Sequence, residues 1–189
     1  MRIGILGGTF NPVHIGHLIL AEEACAKLRL DKIVFVPTFI SPHKKIEADP
    51  GPEERFAMVT LAIEGNRRFE ASRVEIDAKQ KSYSIDTLKE LKATYGADAQ
   101  LFFITGSDSL KDLFSWKDIN DIFKVSKFVV AERPGYPFKN VPKEVETVVI
   151  TPIEVSSHDI RRRLEEARSI RYLVPEKVRE YIAQHGLYA

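Results

Sequence analysis

Short, continuous Val/Ile/Phe runs alternate along this chain with longer stretches at helical spacing, and few folds tolerate that rhythm. RIGIL at 2–6, KIVFVP at 32–37, residues 69–76, QLFFIT at 100–105, KFVVAE at 127–132 and TVVI at 147–150 read as strands. Several lack any polar alternation, as expected for strands buried on both faces. Residues 16–28, 52–64 and 84–95 carry helical spacing, with Ser84 placed to cap the third and Gly96 to stop it. Strand, helix, strand in repetition means βαβ units on a parallel sheet. The expected architecture is therefore α/β: a Rossmann-like open parallel sheet with helices on both faces.

The last part changes character. Ser156 and Ser157 are placed to cap a helix running to residue 167, Pro175 opens another, and Gly186 stands at its end. No strand follows, so these C-terminal helices are expected on the sheet or at its edge. At 189 residues and 44% hydrophobic, the chain can bury one real core. We expect one domain over residues 1–189, with 156–189 as its C-terminal helical part. Residues 38–52, with three prolines, form the most obvious long loop, and loops of that length are often functional.

Charge and cysteine content narrow the chemistry. With 28 basic and 27 acidic residues the net charge is +1, which argues against a dedicated nucleic-acid binder. A local basic cluster remains able to hold a phosphorylated small molecule. Cys25 is the only cysteine, so neither an internal disulfide nor a cysteine metal site can form, and its helical context suggests a small core residue. The first apolar run is too short for a secretory segment, and no stretch approaches the roughly 18 apolar residues of a membrane span. A cytoplasmic protein without membrane partners is expected.

The chemistry concentrates in GGTFNPVHIGH, residues 7–17, at the end of the first strand. It matches neither the dinucleotide fingerprint nor the phosphate loop that ends in Gly-Lys-Ser/Thr. Zinc binding by His14 and His17 lacks a third ligand nearby, and no Gly-x-Ser-x-Gly elbow occurs anywhere. The bland alternative is a glycine turn with surface histidines. Phosphate handling fits better: glycines permit close approach, and N–H groups at a helix start attract anions. His14 and His17 lie three apart, so they share one side of the first turn, with Gly16 keeping that surface open. Their imidazole N–H groups can donate to phosphate oxygens as charge develops.

This segment resembles the signature of the HxGH nucleotidylyltransferase superfamily, and within it the chain is most similar to the bacterial nicotinate-nucleotide adenylyltransferases. Five further segments carry the likeness in order: Ser41-Pro42-His43-Lys44; Tyr83 to Leu88; Gly106-Ser107-Asp108 with Trp116; Arg133-Pro134-Gly135; and Val155 to Arg161. Asn11 stands where many members have aspartate, and His158 where the common pattern has threonine.

The resemblance implies adenylyl transfer from ATP to nicotinate mononucleotide, giving nicotinate adenine dinucleotide and pyrophosphate, with Mg²⁺ bridging the phosphates and no nucleophile or metal-ligating side chain. It implies His14 and His17 as catalytic donors. Gly8, Thr9, Phe10, Gly16, Gly106, Asp108, Ser156, Ser157 and Arg161 would bind ATP. Asp108 would take the adenosine ribose and Arg161 the β- and γ-phosphates. Lys44, Thr87, Trp116 and Arg133 would bind the mononucleotide, with Trp116 stacked on the pyridine ring and Thr87 at its carboxylate. A solvated basic loop at Lys44, a helix cap at Asp108 and a core tryptophan are the plainer alternatives. Nicotinamide mononucleotide and pantetheine phosphate remain alternative substrates, and a regulatory module without catalysis remains an alternative function. A homodimer is compatible with this reading.

Overall fold

The computed structural model describes residues 1–40, 48–81, 83–132, 137–138 and 141–188. Lys44 with its Ser-Pro-His-Lys segment, and Arg133 with Arg-Pro-Gly, lie outside the described residues. The chain runs β1 (Arg2–Gly8), α1 (Ile15–Lys27), β2 (Lys32–Pro37), α2 (Pro52–Ile63), β3 (Phe69–Ala71), α3 (Val74–Ala78), α4 (Ser84–Tyr95) and β4 (Gln100–Gly106). Two 3₁₀ turns (Ser107–Lys111 and Leu113–Ser115) lead to α5 (Ile119–Val125), β5 (Ser126–Ala131), β6 (Val145–Val148), α6 (Ser157–Glu165) and α7 (Glu176–Gln184).

The six strands form one parallel sheet in the order β3-β2-β1-β4-β5-β6. This is the Rossmann-like arrangement expected from the alternating pattern. Its strands alternate between two buried faces. Leu6, Phe35, Phe102, Ile104 and Val129 pack under α1, α2, α6 and α7; Ile5, Val34, Phe103, Phe128 and Val130 pack under α4 and α5. With no solvent face, a strand needs no polar residue at every second position, which explains the continuous runs.

Two local expectations are corrected, and one helix is added. The segment 69–76 is strand only to Ala71, where pairing with β2 ends, and Val74 already begins α3. Tyr83, not Ser84, is the residue before α4, and Ser84 is its first helical position. Helix α5 had no counterpart in the sequence reading; it is seven residues long and begins after Asp118 in the left-handed conformation.

In this strand order the connections run outward in opposite directions from β1 and β4. Their C-terminal ends therefore form the switch point at which open α/β sheets hold ligands. β1 ends at Gly8 and β4 at Gly106, so the fold aims the histidine motif and the Gly-Ser-Asp segment at one crevice.

Candidate active site

A cleft of about 400 Å³ occupies this switch point. Of the residues singled out in the sequence, Gly8, Thr9, His14, Gly16, His17, Thr87, Gly106, Asp108 and Trp116 line it. Segments far apart in the chain thus meet around one space.

The histidines sit where α1 begins. His14 has extended backbone and is the residue before the first helical position; its carbonyl accepts the His17 N–H at 3.0 Å. In return, the His14 N–H donates to His17 Nδ1 at 3.2 Å. A ring nitrogen that accepts carries no proton, so the neutral His17 ring carries its proton on Nε2. The two rings lie 3.7 Å apart, tilted by 31°. A Cβ on Gly16 would come within 3.1 Å of the His14 ring, so glycine is what lets that ring lie against the helix start. Phe10 is almost fully buried behind the pair, with its ring edge-on to His17 at 5.0 Å. Its side chain supports the imidazole from the core.

The loop carrying the motif is held from several sides. Arg55, fully buried, donates from Nη1 to the Thr9 carbonyl at 2.8 Å, from Nε to Asp49 at 2.9 Å and from Nη2 to the Phe39 carbonyl at 3.3 Å. Arg161 Nη1 donates to the Asn11 carbonyl at 2.8 Å, and Ser157 Oγ to the Pro12 carbonyl at 2.9 Å. Ser156 caps α6 by accepting the Asp159 N–H. The Ser-Ser…Arg segment therefore docks the start of α6 onto the motif loop, spending one of the five Arg161 donors on that contact.

The opposite wall comes from α3, α4 and the turns after β4. Trp116 packs edge-on against Phe103 and Phe128, with centroids 5.9 and 5.8 Å away, and also lines the cleft. It is partly buried, packed against the core on one side and lining the cleft on another. Asp108 lies within the first 3₁₀ turn, whose preceding residue is Gly106. Thr87 is buried and fully engaged as a donor: its hydroxyl donates to Glu75 at 2.7 Å and its N–H to the Tyr83 carbonyl at 3.2 Å.

Full-length relatives share this chain. The cytidylyltransferase-like family model matches residues 5–163. A Thermus thermophilus protein named probable nicotinate-nucleotide adenylyltransferase is 43% identical over 188 residues, covering all of both chains. The chain belongs to the nicotinate-nucleotide adenylyltransferases of the cytidylyltransferase-like family. A Rubrobacter xylanophilus adenylyltransferase of the same name is also 43% identical, over all of this chain and 92% of its own. The fold of the family is met again in Plasmodium falciparum nicotinic acid mononucleotide adenylyltransferase, solved with NaAD. That match has a TM-score of 0.81 at 20% identity, covering 99% of this chain and 97% of that one.

Arg55, which holds the motif loop, and Glu75, which lines the cleft, are among the residues around this family site that sequence reasoning missed. Arg55 looks like one more charge on an amphipathic helix, and only its complete burial marks it. Glu75 was hidden inside a supposed strand. Among the described residues, no helix is long and apolar enough to cross a membrane.

Proposed function

We propose that the chain transfers the adenylyl group of ATP to nicotinate mononucleotide, yielding nicotinate adenine dinucleotide and pyrophosphate for NAD biosynthesis in the cytoplasm. We take residues 1–189 as one catalytic domain. The observation that carries the reading is the His14–His17 pair at the start of α1, facing the switch-point cleft. A phosphate oxygen of the mononucleotide attacks the α-phosphorus of ATP, the bond to the bridging oxygen breaks, and its electron pair leaves on pyrophosphate. Such transfer needs positioning and charge stabilisation more than covalent help. His17, with Nδ1 tied to the backbone, has Nε2–H as its donor to the phosphate where charge grows. Gly8 and Thr9 add donors beside it, Asp108 accepts the ribose hydroxyls, and Trp116 stacks on the pyridine ring. The remaining N–H groups of Arg161 serve the outer phosphates, with Lys44 and Arg133 assigned to the mononucleotide.

Mg²⁺ bound to ATP would supply charge neutralisation at the phosphates. Among the described residues no group of three or more His, Cys, Asp or Glu side chains could hold an ion.

One observation favours a second substrate. The Thr87 hydroxyl, donating to Glu75, presents an acceptor, which suits the amide of nicotinamide mononucleotide better than a carboxylate. Steady-state pyrophosphate release with ATP, Mg²⁺ and each mononucleotide decides between them. We expect higher kcat/KM with the acid. Preference for the amide would replace the substrate, and tight ATP binding without any turnover would favour a regulatory module.

A further inference from the structure

The hydroxyl of Tyr188, near the end of the chain, donates to Asn11 Oδ1 at 2.7 Å, across 177 residues of sequence. Asn11 lies inside the histidine motif, three residues before His14, and the family model ends at residue 163, well short of Tyr188. We propose that Tyr188 is a positioning residue for the histidine motif: through Asn11, its hydroxyl fixes the loop from which His14 and His17 are presented. The inference rests on the phosphate-donor reading of those histidines.

The end of α7 is built to deliver this group. The Leu187 N–H bonds to the Ile182 carbonyl and the Gly186 N–H to the Ala183 carbonyl, with Gly186 at φ +57°. This is the Schellman ending, in which a left-handed glycine turns the chain back across its helix. Tyr188 then itself adopts φ +65°, a conformation costly for a residue with a Cβ. Two contacts hold the residue in that geometry. The Tyr188 ring joins the cluster that includes Phe10, Val13 and Ile160, and its hydroxyl reaches Asn11. Burial pushes the phenol up from its ordinary value, which favours the protonated, hydrogen-bond-donating form.

At the receiving end, every residue from Asn11 to His14 is buried. Arg161 and Ser157 fix the Asn11 and Pro12 carbonyls, and the Tyr188 hydroxyl grips the Asn11 side chain. A small rotation of Asn11 carries along the backbone to His14, whose N–H sets the His17 ring. Misplacement of donors by a fraction of an ångström lowers the rate without abolishing substrate binding.

A ring that merely fills the core would be served equally by phenylalanine, which makes Tyr188→Phe the isolating change. Steady-state kinetics on Tyr188→Phe, Asn11→Leu, the double variant and His17→Ala, each assayed well below its melting transition, tests the proposal. For Tyr188→Phe we expect kcat to fall roughly five- to tenfold, with both KM values within about twofold of the parent. In the Asn11→Leu background, Tyr188→Phe should cause no further loss, because its partner is already gone. An unchanged kcat in folded Tyr188→Phe, or independent losses that multiply in the double variant, overturns the positioning role. Full activity in His17→Ala would instead overturn the histidine reading on which it rests.

Discussion

Arg55 has no exposed surface, yet its guanidinium joins three separate segments: the motif loop at Thr9, the chain after β2 at Phe39, and Asp49. Only a planar fork of donors can do this from one side chain. Arg55→Met keeps the packing but leaves two partly buried carbonyls and a partly buried carboxylate without their partner. Loss of a buried charged partner costs about 3–5 kcal/mol, and Asp49, being partly exposed, recovers some of that in water. We expect Arg55→Met to lose about 3 kcal/mol in denaturant unfolding, with Arg55→Lys recovering only part; a loss below about 1 kcal/mol would remove Arg55 from this role. Gly16 makes a second, sharper case. An added Cβ would press on the His14 ring at 3.1 Å, while the helix itself would gain from alanine. Gly16→Ala should therefore leave Tm nearly unchanged but lower kcat by about tenfold or more; unchanged kcat would mean that the His14 ring can move freely.

At the scale of elements, helix α1 must be fixed along its length as well as at its start. Glu23, two turns in, accepts from Lys27 Nζ at 2.7 Å and from the Thr151 N–H at 3.0 Å, while Lys27 also donates to the Val149 carbonyl. These contacts tie α1 to the segment after β6, and Ile150, Thr151 and Ile153 of that segment line the cleft. The Lys27 ammonium, helped by the Thr151 N–H, holds the Glu23 carboxyl down to about 2. A folded value below the ordinary one stabilises the fold above the unfolded value, near 4.5, and is lost as pH falls toward 2. Glu23→Gln should thus have a lower Tm than the parent at pH 7, with the gap narrowing below pH 4.5. A gap independent of pH would mean that packing, and not charge, holds this contact. The same scale explains what could be read in advance. Strands buried on both faces announce themselves by apolar runs, so β1, β2, β4 and β5 were legible to within two residues. β3 is shorter than the apolar residues of FEASRVEI suggest, and their alternation changes phase at Ser72-Arg73. At the sheet edge only three of its residues pair, and Arg73 turns the chain into α3 with its guanidinium held by Glu53 and Asp77.

Across the whole molecule, the candidate site was legible as parts but not as an assembly. Local spacing pointed to His14, Gly16 and His17 because a helix start has a fixed geometry, whatever the rest of the chain does. The bracing around them comes from Arg55, Ser157, Arg161 and Tyr188, whose significance depends on burial and on contacts spanning up to 177 residues. No periodicity encodes such contacts. Ser156, Ser157 and Arg161 were noticed as an anion site, yet their contacts with the motif loop appear only once α6 is packed against it. In the proposed mechanism the sheet's switch point is the frame that presents two histidines to a phosphoryl group. Single-turnover pyrophosphate release by His17→Ala, alongside the Kd for nicotinate mononucleotide, tests this most directly. A donor acting on the transition state predicts turnover reduced by about 10²–10³ with the Kd changed less than about twofold. Equal losses in rate and affinity, or an undiminished rate, would contradict it.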